Sequence, residues 1–188
     1  MKVVFEMMDL GIMITFWVLK LYTQSGILLH QKKYILEVLN KFNMADCNPV
    51  PTPVIANLKL TEALEEGAVD ALVYKQLVGS LIYVCNRRPD ISYKVGLVSR
   101  FMTNPRASHL SATKHILRYL RGTTELVLHY PTKTNSWDRV LEGWSDSDWY
   151  GDKVQRKSTN GYLLKYMNVP VSWCSKKQNV VTLSSCKA

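Results

Sequence analysis

Residues 107–122 read ASHLSATKHILRYLRG, and this stretch separates a helical part of the chain from a strand-rich part. Its apolar residues recur at helical spacing, which predicts an amphipathic helix over about 107–121 that Gly122 ends. The predicted apolar stripe consists of Leu110, Thr113, Ile116, Leu117 and Leu120. Lys114, Arg118 and Arg121 follow at i, i+4 and i+7 on a neighbouring face. Such a row can contact a phosphate backbone, although a solvated helix edge is the more common interpretation.

Working outward toward the N-terminus, the sequence predicts a β-hairpin followed by further helices. Residues 11–22 and 27–30 form the two hairpin strands. Helical periodicity covers three segments: 31–44, 69–86 and 89–102. Pro49, Pro51 and Pro53 exclude helix and inner strand between the first two of these helices. We therefore place a boundary between structural units at this proline-rich stretch.

The residues after Gly122 have a different character. Short strand-like runs alternate with Gly, Asn, Asp and Ser, and no helical pattern follows them. The runs are 125–130, 140–145, 161–167 and 170–175, with 179–183 as a continuation of the last. This pattern predicts an antiparallel meander. The fold class is therefore α+β, with a helical region followed by a three-strand antiparallel sheet.

Charge and length narrow the range of functions. The 188 residues are 47% hydrophobic with five Trp and ten Tyr, which is enough for one or two small cores and argues against disorder. The formal net charge is +9, and from Tyr150 onward there are seven basic residues and one acid. A basic C-terminal part fits a polyanionic partner such as nucleic acid, and equally fits a solvated surface without a partner.

The sequence carries no signal for secretion or membrane insertion. Glu6 and Asp9 stand where a signal peptide has its basic region, and the apolar run 10–19 is about half the length of a membrane span. The four cysteines form no Cys-x-x-Cys pair, which is typical of reduced thiols. We expect an intracellular protein, cytoplasmic or nuclear, without a membrane partner.

One acidic cluster, Asp146, Asp148 and Asp152, is a candidate for metal chemistry. In a strand, residues 146 and 148 point to the same face, where two carboxylates can share Mg²⁺. On spacing alone, a solvent-exposed Asp-rich turn is the more common interpretation. An EF-hand is excluded because no Glu ends the loop. The histidines have no metal-ligand spacing, and each is read as a surface or core residue.

Collinear motifs over nearly the whole chain resemble the Pol polyprotein of copia-type retrotransposons. In the first half these are Phe5-Glu6-Met7-x-Asp9-Leu10-Gly11, Gln31-Lys32-Lys33-Tyr34, Lys41-Phe42-Asn43-Met44, Pro51-Thr52-Pro53, Tyr74-x-Gln76-Leu77-Val78-Gly79-Ser80-Leu81 and Arg88-Pro89-Asp90-Ile91. In the second half these are Ser99-Arg100-Phe101-Met102, His109, Leu117-Arg118-Tyr119-Leu120-Arg121-Gly122-Thr123, Ser145-Asp146-Ser147-Asp148-Trp149, Arg156-Lys157-Ser158-Thr159-x-Gly161-Tyr162, Ser172-Trp173-x-Ser175-Lys176-Lys177-Gln178 and Leu183-Ser184-Ser185.

The resemblance implies three regions that join reverse transcriptase to RNase H. Residues 1–53 would be the end of the palm and a thumb-like region, 54–130 a helical connection-like region, and 131–188 a truncated RNase H-like domain. The leading metal-binding aspartate of RNase H, which uses Mg²⁺ on an RNA–DNA hybrid, corresponds to Asp146. Asp148 has no certain catalytic role in the family. The candidate nucleic-acid contacts are Lys114, Arg118, Arg121, Lys176 and Lys177.

Departures from the family pattern favour an inactive fragment. The Tyr-x-Asp-Asp motif is absent, Phe16–Lys20 replaces Phe-Leu-Gly-Ile, and Lys187 stands where a Glu is frequent. The RNase H Glu is expected immediately after Ala188, and the two later aspartates are missing. One carboxylate of four cannot hold two divalent cations. We therefore expect Asp146 to be vestigial, no productive Mg²⁺ binding, and a missing partner in the remainder of the polyprotein.

Two alternatives belong to other functional classes. A binding module would hold an RNA–DNA duplex through phosphate contacts, with an affinity that falls with salt and weakens when Lys176 and Lys177 are replaced by Ala. A domesticated interaction fragment would bind another protein through its uncovered apolar sheet and form a stable complex, where an inactive remnant would be insoluble.

Overall fold

The computed structural model describes residues 20–23, 26–55, 60–61, 65–132, 139–148 and 157–181. The helices are α1 (Lys32–Lys41), α2 (Ala71–Val84), α3 (Pro89–Val98) and α4 (Ala107–Gly122), with a 3-10 turn at Ser99–Phe101 after α3. The strands are β1 (Lys20–Thr23), β2 (Gly26–His30), β3 (Leu128–Pro131), β4 (Leu141–Asp148), β5 (Thr159–Tyr166) and β6 (Val169–Lys177). The predicted strand over 11–19 lies outside the described residues.

The first sheet has the antiparallel order β1-β2-β3. β1 and β2 form the predicted hairpin, in which Lys20 pairs with His30 and Thr23 with Ile27. The expectation that 125–130 opens the C-terminal meander is wrong, because β3 pairs with β2 instead. Gly26 allows this pairing, since a Cβ there would lie 2.3 Å from the carbonyl oxygen of Tyr130.

One hydrophobic core joins the four helices. α4 supplies the predicted stripe: Thr113, Ile116, Leu117 and Leu120 are buried, and Leu110 packs at the edge. The buried members from α1 to α3 are Ile35, Val38, Leu39, Tyr74, Leu77, Val78, Leu81, Val84, Ile91, Val95 and Val98. The proline-rich stretch therefore connects two helices of one core. The division at residues 53 and 130 stays a prediction about domain limits.

The second sheet has the antiparallel order β4-β5-β6 and packs on the helical region through β6 and α3. Side-chain hydrogen bonds join this sheet to the helical region and to β3. The indole Nε1 of Trp173 donates to the Cys85 carbonyl at 2.9 Å, and the Tyr130 hydroxyl donates to the Pro170 carbonyl at 2.6 Å. Arg100 donates to the Thr159 hydroxyl at 2.9 Å. An α+β fold, with helices followed by a three-strand antiparallel sheet, is confirmed.

β4 is the outer strand of this sheet and pairs only with β5 in the described part of the chain. Its first six residues, from Leu141 to Asp146, are exposed, and β6 ends at Lys177 without the predicted continuation over 179–181. In the ranges that the structure describes, no helix has the length and apolarity needed to cross a membrane.

Candidate nucleic-acid interface and acidic strand

Asp146 occupies the middle of β4, opposite Gly161 of β5. Its side chain is exposed, and its Oδ1 accepts a hydrogen bond from the Ser147 amide at 2.9 Å. A carboxylate in this setting keeps oxygen lone pairs that can reach solvent or a hard cation. Asp146 can therefore serve as a metal ligand, and the strand carries two more carboxylates on the same face, Asp148 and the exposed Glu142.

Asp148 is engaged differently, although both aspartates lie on one face of the strand. Its Oδ1 accepts a hydrogen bond from the backbone amide of Thr159, at the start of β5. The Thr159 hydroxyl in turn accepts from Arg100. Asp148 thus ties the end of β4 to β5 and to the helical region, which is a structural use of the carboxylate.

The face that carries Asp146 is the one turned toward the helices. Trp144 pairs with Leu163, and Leu163 pairs with Trp173, so these three side chains share a face with Asp146. Trp173 reaches the end of α2 from that face. Asp146 stays exposed on the outer strand.

The described residues contain no group of three or more His, Cys, Asp and Glu that could hold a metal ion. Asp152, the third member of the predicted acidic cluster, lies outside the described residues. Two-metal phosphodiester chemistry needs several converging carboxylates. The described part of the chain therefore does not bring three such ligands together around Asp146.

The basic row of α4 contacts the segment just before the proline-rich stretch. Arg121 Nε donates to the Ala45 carbonyl at 2.6 Å, and Arg118 Nε donates to the Asn48 carbonyl at 2.7 Å. Lys114 is exposed on the same helix. No local sequence pattern predicts these contacts, because they join residues about 70 or more positions apart.

Lys176 and Lys177 are neighbours near the end of β6 and point to opposite faces of the sheet. Lys176 pairs with Asn160 and is exposed, whereas Lys177 pairs with Thr159 and is half-buried. By strand alternation, Lys177 shares the Asp146 face and Lys176 lies on the other. The five candidate contacts are thus divided between α4 and two faces of the second sheet.

A buried ionic network at the start of α3 was not anticipated as a site. The side chain of Arg88 is 5% exposed and binds Asp90 through Nε and Nη2, at 2.7 to 3.2 Å. The same guanidinium donates to the carbonyl and hydroxyl of Thr123 at the end of α4, and the Tyr119 hydroxyl donates to Asp90 at 2.8 Å. The adjacent Arg88-Pro89-Asp90 was the available signal, since proline opens the helix between two charges.

The network determines the ionisation of its carboxylate and phenol. Burial opposes the charge on Asp90, but hydrogen bonding and charge from Arg88 hold its pKa below the ordinary value. Burial, followed by the hydrogen bond to Asp90, raises the pKa of Tyr119. An ionised Asp90 that accepts a hydrogen bond from a neutral Tyr119 is an arrangement that holds α3 against α4.

The reading of the histidines as structural holds for His109, which is fully buried in α4. Its Nδ1 accepts from the Arg106 amide at 3.0 Å, so the Nε2 proton donates to the Thr61 carbonyl at 2.7 Å. Its ring stacks on Phe101 with centroids 3.8 Å apart. Both ring nitrogens are used in holding the start of α4.

Comparison with known proteins finds transposon polyproteins among the relatives. A retrovirus-related Pol polyprotein from transposon TNT 1-94 of Nicotiana tabacum is 41% identical over 195 aligned positions, which cover 98% of this chain. The Pol polyprotein from transposon RE1 of Arabidopsis thaliana is 43% identical over 164 positions, or 87% of the chain. An uncharacterised mitochondrial protein of Arabidopsis thaliana is 35% identical over 185 positions, which cover 96% of this chain and 74% of the relative. Over most of its length the chain is thus similar to retrovirus-related Pol polyproteins of plant transposons.

The chain spans only a part of the transposon polyproteins. It covers 14% of the tobacco protein and 11% of the RE1 protein. No family model matches the chain, and no solved structure matches it.

Proposed function

We propose that this chain is the segment of a copia-type Pol polyprotein that leads from the end of reverse transcriptase into the start of RNase H. The observation that carries this proposal is the identity of 41% to a transposon Pol polyprotein over 98% of the chain. The order of helices followed by a three-strand antiparallel sheet supports it. In this assignment α1 to α4 belong to the thumb and connection, and β4 to β6 open the RNase H fold.

Asp146 would be the leading RNase H carboxylate in this assignment. Its position on the first strand of the second sheet, exposed and with oxygen atoms that can reach a cation, fits a Mg²⁺ ligand. Mg²⁺ would supply the activated water and stabilise the leaving oxygen of an RNA strand. Because the described residues contain no group of three or more ligands that could hold paired cations, we propose that the 188-residue polypeptide does not cleave RNA by itself.

The segment would contribute nucleic-acid contacts to the polyprotein. Its net charge of +9 favours a polyanion, and the three exposed candidates, Lys114, Arg121 and Lys176, can reach solvent phosphates. The partner we propose is the RNA–DNA hybrid that the parent family handles. Phosphate contacts of this kind position a duplex without reading its sequence.

Binding of a labelled RNA–DNA hybrid over a series of salt concentrations tests this function. We expect the logarithm of the association constant to fall linearly with the logarithm of the salt concentration. The double variant Lys176→Ala/Lys177→Ala should bind more weakly and reduce the salt slope by about 1, because of the two lysines Lys176 is the exposed one. The matched control is Lys41→Ala/Lys75→Ala, which removes the same charge from exposed positions of α1 and α2. Absence of hybrid binding by the wild-type chain, or equal losses in both double variants, would contradict the proposed contacts.

A further inference from the structure

Residues 45–52, which we call the strap, lie antiparallel along α4 and are held there by three hydrogen bonds. Arg121 binds the Ala45 carbonyl and Arg118 binds the Asn48 carbonyl through their Nε atoms. His115 Nε2 lies 3.0 Å from the Thr52 carbonyl. The three donors recur every third residue of the helix, so they form one continuous ladder with the strap.

Only one nitrogen of each guanidinium is used in this ladder. Arg118 and Arg121 each contact the strap through Nε, and within the described residues neither terminal nitrogen pair makes a hydrogen bond or ion pair. A guanidinium is planar, so a bond at Nε fixes the direction of the two terminal amino groups. Those two groups form the edge that binds phosphate through two parallel bonds.

The surrounding charge favours an anion at this edge. α4 has no Asp or Glu among its sixteen residues, and Lys114 stands one turn before Arg118 on the same row. The strap carries one acid, Asp46, against these three cations. In the described ranges the two salt bridges involve Lys32 and Arg88, neither of which belongs to this row. The row therefore keeps its positive charge available to solvent.

We propose that the strap orients the guanidinium groups of α4 so that Lys114, Arg118 and Arg121 form a preorganised phosphate-binding row for the RNA–DNA hybrid. This inference rests on the proposed function and specifies how one of its surfaces works. Two flexible side chains that are already held in one direction lose less conformational freedom when they bind. The strap thus raises the affinity for phosphate without contacting the nucleic acid.

A substitution at Gly122, which lies against Pro49, can displace the strap without changing the charge of the chain. A Cβ on Gly122 would lie 2.9 Å from the Pro49 Cβ, which is closer than carbon atoms approach each other. Gly122→Ala is therefore expected to displace the strap while the helix itself accepts alanine. Gly79→Ala is the matched control, because a Cβ at this helical glycine of α2 meets no atom within 4 Å.

The experiment measures hybrid affinity and strap position in the full chain. We expect Gly122→Ala to weaken binding roughly threefold to tenfold, and Arg118→Ala/Arg121→Ala to weaken it further and to reduce the salt slope by about 2. Gly79→Ala should bind like the wild type. Strap displacement is followed independently through the labelling rate of Cys47, which is half-buried within the strap and should react faster in Gly122→Ala than in Gly79→Ala.

The outcomes separate this inference from the function on which it rests. If Cys47 reacts faster in Gly122→Ala and the hybrid still binds with wild-type affinity, the orienting role is wrong while hybrid binding stands. An unchanged Cys47 rate in Gly122→Ala would show that the strap does not lie against Gly122 as described, and would also overturn the inference. If the wild-type chain does not bind the hybrid at all, both the proposed function and this inference fail.

Discussion

At the scale of single residues, the most constrained group is the Arg88 guanidinium. Its side chain is buried, and its hydrogen bonds connect the start of α3 to the end of α4 through Asp90 and Thr123. A buried cation that loses its carboxylate keeps the cost of desolvation without the compensating attraction. The Arg88–Asp90 pair therefore contributes mainly to how α3 and α4 are positioned against each other. Its contribution to the net free energy of unfolding is smaller.

Asp90→Asn is expected to lower the free energy of unfolding by about 2–4 kcal/mol, because the buried Arg88 then loses its charged partner. The partial exposure of Asp90 keeps this loss below that of a fully buried pair. Urea unfolding at pH 7 measures this loss. The exposed Asp46, changed to Asn, is the control and should leave the free energy within about 0.5 kcal/mol of the wild type.

The same variant gives a pH dependence with a defined sign. Because the folded-state pKa of Asp90 lies below its ordinary value of 3.8, the stabilisation is complete above that value and is lost as the pH falls through the folded pKa. The difference in the free energy of unfolding between wild type and Asp90→Asn should therefore become smaller below about pH 4. A difference that stays constant down to pH 2 would contradict the assigned role of the ionised carboxylate.

At the scale of elements, local sequence signals located the helices well. Apolar periodicity predicted α1, α2 and α4 to within a few residues, and Pro89 marked the first residue of α3. Pairing between distant strands was harder, since 125–130 reads as strand whichever sheet it joins. Only the return of the chain after α4 brings β3 beside β2. The contacts of Arg118 and Arg121 with the strap were unpredictable for the same reason.

α2 begins with a side-chain cap that the periodicity did not reveal. The Asp70 carboxylate accepts hydrogen bonds from the Leu72 amide at 2.7 Å and the Val73 amide at 3.2 Å. Asp70→Ala should lower the free energy of unfolding by about 1 kcal/mol, and Asp70→Ser should restore most of it. Chemical denaturation followed by circular dichroism measures both. Equal losses in the two variants would show that the cap does not hold α2.

At the scale of the whole molecule, the helical core and the second sheet differ in how far their apolar residues are buried. The helices bury one continuous apolar core, whereas β4 leaves Leu141, Trp144 and Asp146 exposed on an outer strand. Collinear motifs made the relationship to Pol polyproteins predictable from the sequence. The acidic strand was predictable as well. The hydrogen bond that Asp148 accepts from the Thr159 amide was not, because it depends on how β5 returns beside β4.

Incubation of the full chain with a labelled RNA–DNA hybrid and Mg²⁺, with the fate of both the complex and the RNA strand followed on gels, tests the central claim most directly. We expect the hybrid to be retained in a salt-sensitive complex while its RNA stays intact, because the described carboxylates do not converge on paired cations. Cleavage of the RNA by the wild-type chain that disappears in Asp146→Asn would contradict this account.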